Sequence, residues 1–321
     1  MIYRTLINRL VQLVVVMILV TFGTTALITR IPGTPAGLVL GGNPSVAAIK
    51  HFNHQYGYDR PILVQYWHWV INALQGNLGR SIQSNAPVTS LIVKALPVSV
   101  EIAVLGFVIS LVIAVALALV SVMRPGGVLD RVIGAFSALF YSVPVYVSAV
   151  AFVYVLAVKT KLFPPVGWVP LSTSLTGNLR HVALPVITLS VPLAALPLRV
   201  LRGDLGDVLN EDYVASARAR GLPEWYVLSR YALRPASISL LTIEGIVFAY
   251  LFAGNIIIET FFSTPGVGYL VSFAQGGKDI PVIQGVVVFV ALIFMIVNLL
   301  VDLCYPLLDP RLRGSVDERR G

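Results

Sequence analysis

Charge is scarce in this chain, and so is cysteine. Of 321 residues, 23 are Lys or Arg and 15 are Asp or Glu, so 23 + 15 = 38 carry charge, about half the share found in an ordinary soluble domain. The single cysteine, Cys304, excludes an internal disulfide and a cysteine-rich metal cluster. It ends an apolar run and reads as a packed thiol. No G-x-x-x-x-G-K-[ST] occurs, and "GGKD" at 276–279 fails that spacing, so the chain is not expected to bind and hydrolyse ATP by itself. H-E-x-x-H and G-x-S-x-G are missing as well. His51, His54 and His68 have no carboxylates or cysteines at ligand spacing, and read as solvated side chains rather than metal ligands. Neither a metal site nor a catalytic residue is expected.

What the chain has in quantity is apolar sequence. Hydrophobic residues make up 57% of it, and six runs are close to the roughly 20 residues needed to cross about 30 Å of hydrocarbon. They are 10–29, 102–123, 132–158, 181–198, 235–258 and 280–301. In lipid each is predicted to be a helix, which satisfies its backbone within one segment. The first run is longer than a signal-peptide core and lacks a clear cleavage site, so it is read as a retained span. The expected fold class is an all-α polytopic membrane protein with six transmembrane helices.

The net charge of +8 would suit nucleic acid, but its distribution has another explanation. Fourteen basic residues fall at the two termini and in the links after spans two and four: Arg4, Arg9, Arg124, Arg131, Arg199, Arg202, Arg218, Arg220, Arg230, Arg234, Arg311, Arg313, Arg319 and Arg320. The opposite side holds the remaining 23 − 14 = 9, five of them in the long segment after span one. The positive-inside rule places both termini and these links in the cytoplasm. No nucleic-acid partner is expected; membrane lipid is.

The organisation follows: N-terminus and first span at 1–30, an extracytoplasmic lobe at 31–96, a core of spans two to six at 97–306, and a cytoplasmic tail at 307–321. In the lobe, Ile62, Tyr66, Trp69 and Ala73 recur at helical spacing, and Trp67 and Trp69 suit the lipid interface. Pro144 interrupts span three, while Pro185, Pro192 and Pro197 interrupt span four. Residues 259–285 are too polar and turn-rich for a seventh span, and read as an external loop with a short amphipathic piece at 268–274. Only Glu244 lies deep in a span. One carboxylate is a poor catalytic set; contact with a transported solute and a purely structural helix-pairing role both fit it.

The polar link 203–234 contains "NEDYVASARARGLPEW" (210–225). Asn210 suits an N-cap, and Glu211 and Asp212 place negative charge in the first turn. Arg218 and Arg220 lie near the C-terminal end, Gly221 suits a left-handed C′ position, and Pro223 bars continuation. A short closed helix over 211–220 is predicted. Ala215, Ala217 and Ala219 give it low relief, and Tyr213 shares a face with Ala217. A lipid-surface helix would carry bulkier apolar residues, so this one is shaped to enter a groove on a partner protein.

"EDYVASARARGL" (211–222) resembles the EAA-type loop of ATP-binding-cassette importer permeases, in its dipeptide/oligopeptide form. Three more stretches are similar to that family, in order: "YGYDRPILVQYWHWVINALQGNLGRSI" (56–82), "ETFFSTPGVGYL" (259–270) and "DLCYPLLDPRLR" (302–313). The first of these resembles the first, B-type, of two paralogous permease subunits. Ala215 stands where the loop's eponymous glutamate would fall.

The resemblance implies an importer permease fold of type I in a bacterial cytoplasmic (inner) membrane, crossing it several times. It also implies a pathway shared with a paralogous permease subunit, one or two ATPase subunits that hold ATP and Mg, and an extracytoplasmic solute-binding protein delivering peptide. Carried over by position, ATPase docking falls to Glu211, Asp212, Tyr213, Ala215, Ala217, Arg218, Ala219, Gly221 and Leu222. The outer gate and translocation path fall to Glu244, Asn255, Glu259, Pro265, Gly266 and Gly268. No cofactor is expected on this chain. Nickel or glutathione importers of the same family are alternatives, as is a stand-alone ion-coupled transporter.

Overall fold

A computed structural model of the chain describes residues 2–28, 36, 40 and 44–308. The start of the lobe at 29–35 and the D-P-R ending with its tail lie outside the described residues, and of Cys304 only its place in a helix is described. Among the described residues the structure is helical, with one isolated bridge between Arg80 and Pro87 and no strand.

In chain order the helices are α1 Ile2–Ile28, α2 Val46–Tyr56, α3 Ile62–Leu74, α4 Val88–Met123, α5 Val128–Ser142, α6 Val145–Phe152, α7 Leu175–Leu193, α8 Ala195–Leu209, α9 Asp212–Ala219, α10 Glu224–Tyr226, α11 Leu233–Phe261, α12 Val267–Gly276 and α13 Ile280–Leu308. Wider π-helical turns continue α6 (Val153–Lys159) and join α10 to α11 (Val227–Ala232).

Where they are described, the predicted spans fall largely on helix, but not all on a straight one. Val88–Met123, Glu224–Phe248 and Ile280–Val297 are each long and apolar enough to cross a membrane, and two bent pairs raise the number to five. α1 contributes a shorter apolar stretch, Val14–Leu27. The bend of 113° between Val128–Ser142 and Val145–Lys159 has a local cause. The residue before a proline is pushed to extended backbone, and Val143, before Pro144, has ψ 126°. The milder 42° bend between α7 and α8 sits between Pro192 and Pro197, each of which removes a backbone donor.

Two boundaries differ from expectation. α4 begins at Val88, well before the predicted 102, so the helix claims residues assigned to the lobe. Thr89, Lys94, Ser99 and Glu101 made that stretch too polar to read as a span. The segment 259–285, expected as loop, is mostly helix: α11 runs to Phe261, α12 replaces the short piece at 268–274, and α13 starts at Ile280.

The chain divides into two compact units. The first, 1–99 with 264–296, contains the lobe. Among the described residues of the lobe, Ala36, Phe52 and Ile82 form a small buried cluster, flanked by Ile49 and Tyr58. Polar ties within the unit add to it. Buried Asp279 accepts from the Ser81 hydroxyl and from the Ile82 amide at 3.1 Å, so one carboxylate holds the loop before α4 to the residue before α13. Gln284 on α13 donates to Thr25 on α1 at 2.8 Å.

The second unit, 100–263 with 297–321, packs by small residues. Gly106, Ser110, Ala114 and Ala118 recur every four positions on one face of α4, all buried. Such a stripe lets helix backbones approach closely where lipid offers no hydrophobic drive between helices. Ala114 and Ala118 share a core with Ile133 of α5, Leu198, Leu201 and Leu205 of α8, and Ala236 and Leu240 of α11.

Candidate functional site

The link between α8 and α11 folds into the short helix that the sequence predicts, with different ends and a different outward face. Asn210 does not cap α9. Its side-chain amide donates to the Gly206 carbonyl at 2.9 Å and its backbone N–H to Asp207 at 3.1 Å, so it closes α8. Glu211 takes the N-cap position with extended backbone (ψ 145°) and no side-chain cap bond. Asp212 remains in the first turn, where its charge meets the positive end of the helix. At the other end Gly221 is left-handed at φ 77°. The Gly221 N–H reaches the Arg218 carbonyl at 2.9 Å, and the Leu222 N–H reaches Ala217 at 3.4 Å. This pair of hydrogen bonds is a Schellman close, with Leu222 packed beside the Ala217 cluster in the hydrophobic contact that often accompanies the motif.

Packing decides which residues are free to meet a partner. Val214 and Ala217 are fully buried, in a cluster with Val227 of the π-helical turn and Val208, Leu209, Leu222 and Tyr231 around it. Ala217, expected on the docking face, therefore anchors α9 to its own chain. The reason is the helical period: 214 and 217 share the face opposite 212, 215, 216 and 219. Asp212, Ala215, Ser216 and Ala219 are exposed and form the outward face. The alanines alone do not point to Ser216; a helical wheel would have found it. Its hydroxyl bonds back to the Asp212 carbonyl at 2.9 Å, which leaves the Asp212 carboxylate as the charged group of an otherwise low face.

Two flanking contacts brace the helix. Arg218 grips Glu224 with two bonds, Nη2–Oε1 at 2.6 Å and Nε–Oε2 at 3.2 Å, across the turn containing Gly221 and Pro223; the pairing raises the Arg218 guanidinium's pKa further. Tyr213 lies against the return limb, its hydroxyl 3.4 Å from the Tyr231 carbonyl. Burial pushes the Tyr213 phenol up from its ordinary value, and the Glu211 carboxylate adds to the shift.

The base of α9 is tied to the core. Asp130, at the start of α5, accepts from Ser121 of α4, from the Gly126 N–H at 2.9 Å, and from Arg202 of α8 at 2.7 Å. One carboxylate thus joins the turn between α4 and α5 to the helix that leads into α9. An Asp and an Arg 72 positions apart (202 − 130) give no sequence signal of pairing.

Glu244, Asn255 and Glu259 lie on one side of α11, on the buried stripe that runs Ala236, Leu240, Glu244, Val247, Leu251, Asn255, Ile258 and Glu259. Among the described residues neither carboxyl oxygen of Glu244 meets a hydrogen-bond partner. Beyond α11, Ser263 is left-handed at φ 53° although it is not glycine, a conformation uncommon enough to mark a constrained turn. In the first unit, Pro265 is exposed while Gly266 and Gly268 are buried. Gly266 precedes α12, and the next amide, Val267 N–H, donates to Ser99 Oγ at 2.8 Å. In the lobe, His54 pairs with Asp59 at 2.9 Å and His68 lies 3.2 Å from the Arg60 guanidinium. The Asp59 carboxyl is held below its usual range, first by the His54 bond.

The whole arrangement has sequence counterparts. Residues 106–314, which include α9 and α11, match the model of the binding-protein-dependent transport system inner membrane component, and residues 2–103 match the corresponding N-terminal model. The chain belongs to this family. Its relatives include the probable peptide ABC transporter permease protein of Sinorhizobium fredii, 35% identical over 96% of this chain and 98% of that one. The glutathione transport system permease protein of Escherichia coli is 30% identical over 96% of this chain and 98% of its own length. Among solved structures, an inward-facing methionine ABC transporter chain superposes with a TM-score of 0.56 at 17% identity, covering 68% of this permease and 96% of that chain; this likeness concerns the fold. The permease is therefore a membrane component of an ABC importer, and its helical architecture is that of such components.

Proposed function

We propose that this permease subunit forms, with a paralogous subunit, the pathway by which di- or oligopeptides enter the cell, and that α9 couples this pathway to cytoplasmic ATPases. The observation that carries the reading is the outward face Asp212, Ala215, Ser216 and Ala219 on a helix closed at its C-terminal end and fixed to its own chain by Val214 and Ala217. A helix so braced moves as one piece with its base, and a face so flat fits a groove. ATP and Mg are held by the ATPases, whose closure on ATP shifts the docked helix and, through α8 and Asp130, the turn between α4 and α5. An external binding protein delivers the solute near residues 259–268, assigned to the outer gate region. The polar positions Glu244, Asn255 and Glu259 on α11 are assigned to the translocation path.

Peptide is favoured as the solute by the relative from S. fredii, which is named as a probable peptide permease. Glutathione, itself a tripeptide, is the second reading, from the E. coli relative. The test is reconstitution in proteoliposomes. Uptake of labelled dipeptide should require ATP, the ATPases and the binding protein, and excess glutathione should compete only if the second reading holds. Uptake by this chain alone, indifferent to ATP, would sink the proposal. In the same vesicles Glu244→Leu should slow uptake while leaving ATPase binding intact. Unchanged uptake would make Glu244 a structural group.

A further inference from the structure

The helix α3 in the lobe has two faces that ask for different surroundings. Tyr66 fixes one of them: its hydroxyl lies 2.9 Å from Thr21 Oγ1 of α1, and its ring meets Phe22 edge-on at 5.3 Å. Around Tyr66 the side chains of Ile62, Trp69, Val70 and Ala73 are partly covered. A second face carries Leu63, Trp67 and Leu74, which are 65%, 63% and 84% exposed, with Val64 and Ile71 beside them. At 100° per residue these five positions span a quarter-turn of the helix without a polar member. Exposed His68, Asn72 and Gln75 form the adjoining edge. The helix has no Asp, Glu, Lys or Arg at all.

We infer that α3 lies in the membrane interface beside the end of α1, with Leu63, Trp67, Ile71 and Leu74 inserted among lipid headgroups and upper acyl chains. Two observations select lipid as the occupant. The face belongs to a helix held against an apolar one: α3 is pinned to α1, whose Val14, Val15, Ile18 and Leu19 are also exposed, and α1 is bonded through Thr25 to α13, which contains a candidate membrane span. The chemistry fits as well. A tryptophan among branched aliphatics with a neutral polar edge is interface material, whereas the rim of a protein–protein contact is polar and often charged. This inference rests on the membrane assignment of the family and is independent of the solute.

Trp67 is the natural probe. In the full chain with W69F, W168F and W225F, reconstituted in phosphatidylcholine–phosphatidylglycerol vesicles, Trp67 fluorescence should be quenched by lipids brominated near the headgroup. Lipids brominated near the bilayer centre should quench it less, and aqueous acrylamide hardly at all. Addition of the binding protein and ATPases should leave that pattern unchanged. Absence of quenching by either lipid, stronger quenching from the bilayer centre, or loss of lipid quenching when the other subunits are added would each overturn the inference, the last by making a protein the occupant. Should the triple variant fail to insert, a spin label at Leu74→Cys in a Cys304→Ser background reads the same contact. Relaxation by oxygen should then exceed relaxation by a water-soluble nickel chelate, and the reverse order refutes the lipid contact.

Discussion

Gly221 shows how much can hang on one backbone angle. A Cβ added there meets nothing within 4 Å, yet φ is +77°, so the cost of Gly221→Ala is conformational, about 1 kcal/mol. The two bonds of the Schellman close would loosen, and the Arg218–Glu224 clasp over the same turn is exposed, so it offsets less than about 1 kcal/mol. The expected outcome is a permease that inserts normally but transports more slowly, with faster proteolysis between 216 and 226; unchanged cleavage and transport would show that the cap does not matter. Gly221 was legible in the sequence because a glycine after a basic turn and before proline has one common use. Asn210 was not, for an equally local reason: the preceding helix competes for the same side chain, and nothing in a linear string says which helix wins.

For α9 as an element, the separation of inner from outer face is the useful result. Ala219→Arg should abolish ATPase co-purification and transport while the chain still inserts, because it fills a groove contact without touching the cluster around Val214. Ala217→Arg is a different experiment. It forces a guanidinium into a buried site, where overpacking alone costs about 1–3 kcal/mol and the unpaired charge adds to that, so its loss of transport would say nothing about docking. If Ala219→Arg retains the ATPase at wild-type levels in detergent pull-down, the outward face is not the docking face. Alanine content alone announced a shallow helix; the side it turns outward depends on Val227 and Tyr231, more than seven residues beyond its end. The same limit applied to α4, whose first turns were hidden by polar residues that a lobe helix and a span share; Pro144 announced a break in the third span, but not its 113° angle.

At the scale of the molecule, the basic residues give a sidedness that labelling can check. In intact cells, in a Cys304→Ser background, Ser84→Cys should react with a membrane-impermeant maleimide, and Ser216→Cys should react only after permeabilisation. Labelling of both from the same side would refute the predicted topology and, with it, docking to a cytoplasmic ATPase. One further consequence belongs to the size of α9. Eight residues make a rod of about 12 Å, far too small to supply the roughly 800 Å² per partner of a stable interface. A lone copy of this helix is therefore a weak grip. For the proposed docking, firm attachment of the ATPase would then draw on avidity, a second tethered contact raising the effective concentration of the first, and a joint built that way can release one side at a time without the assembly coming apart.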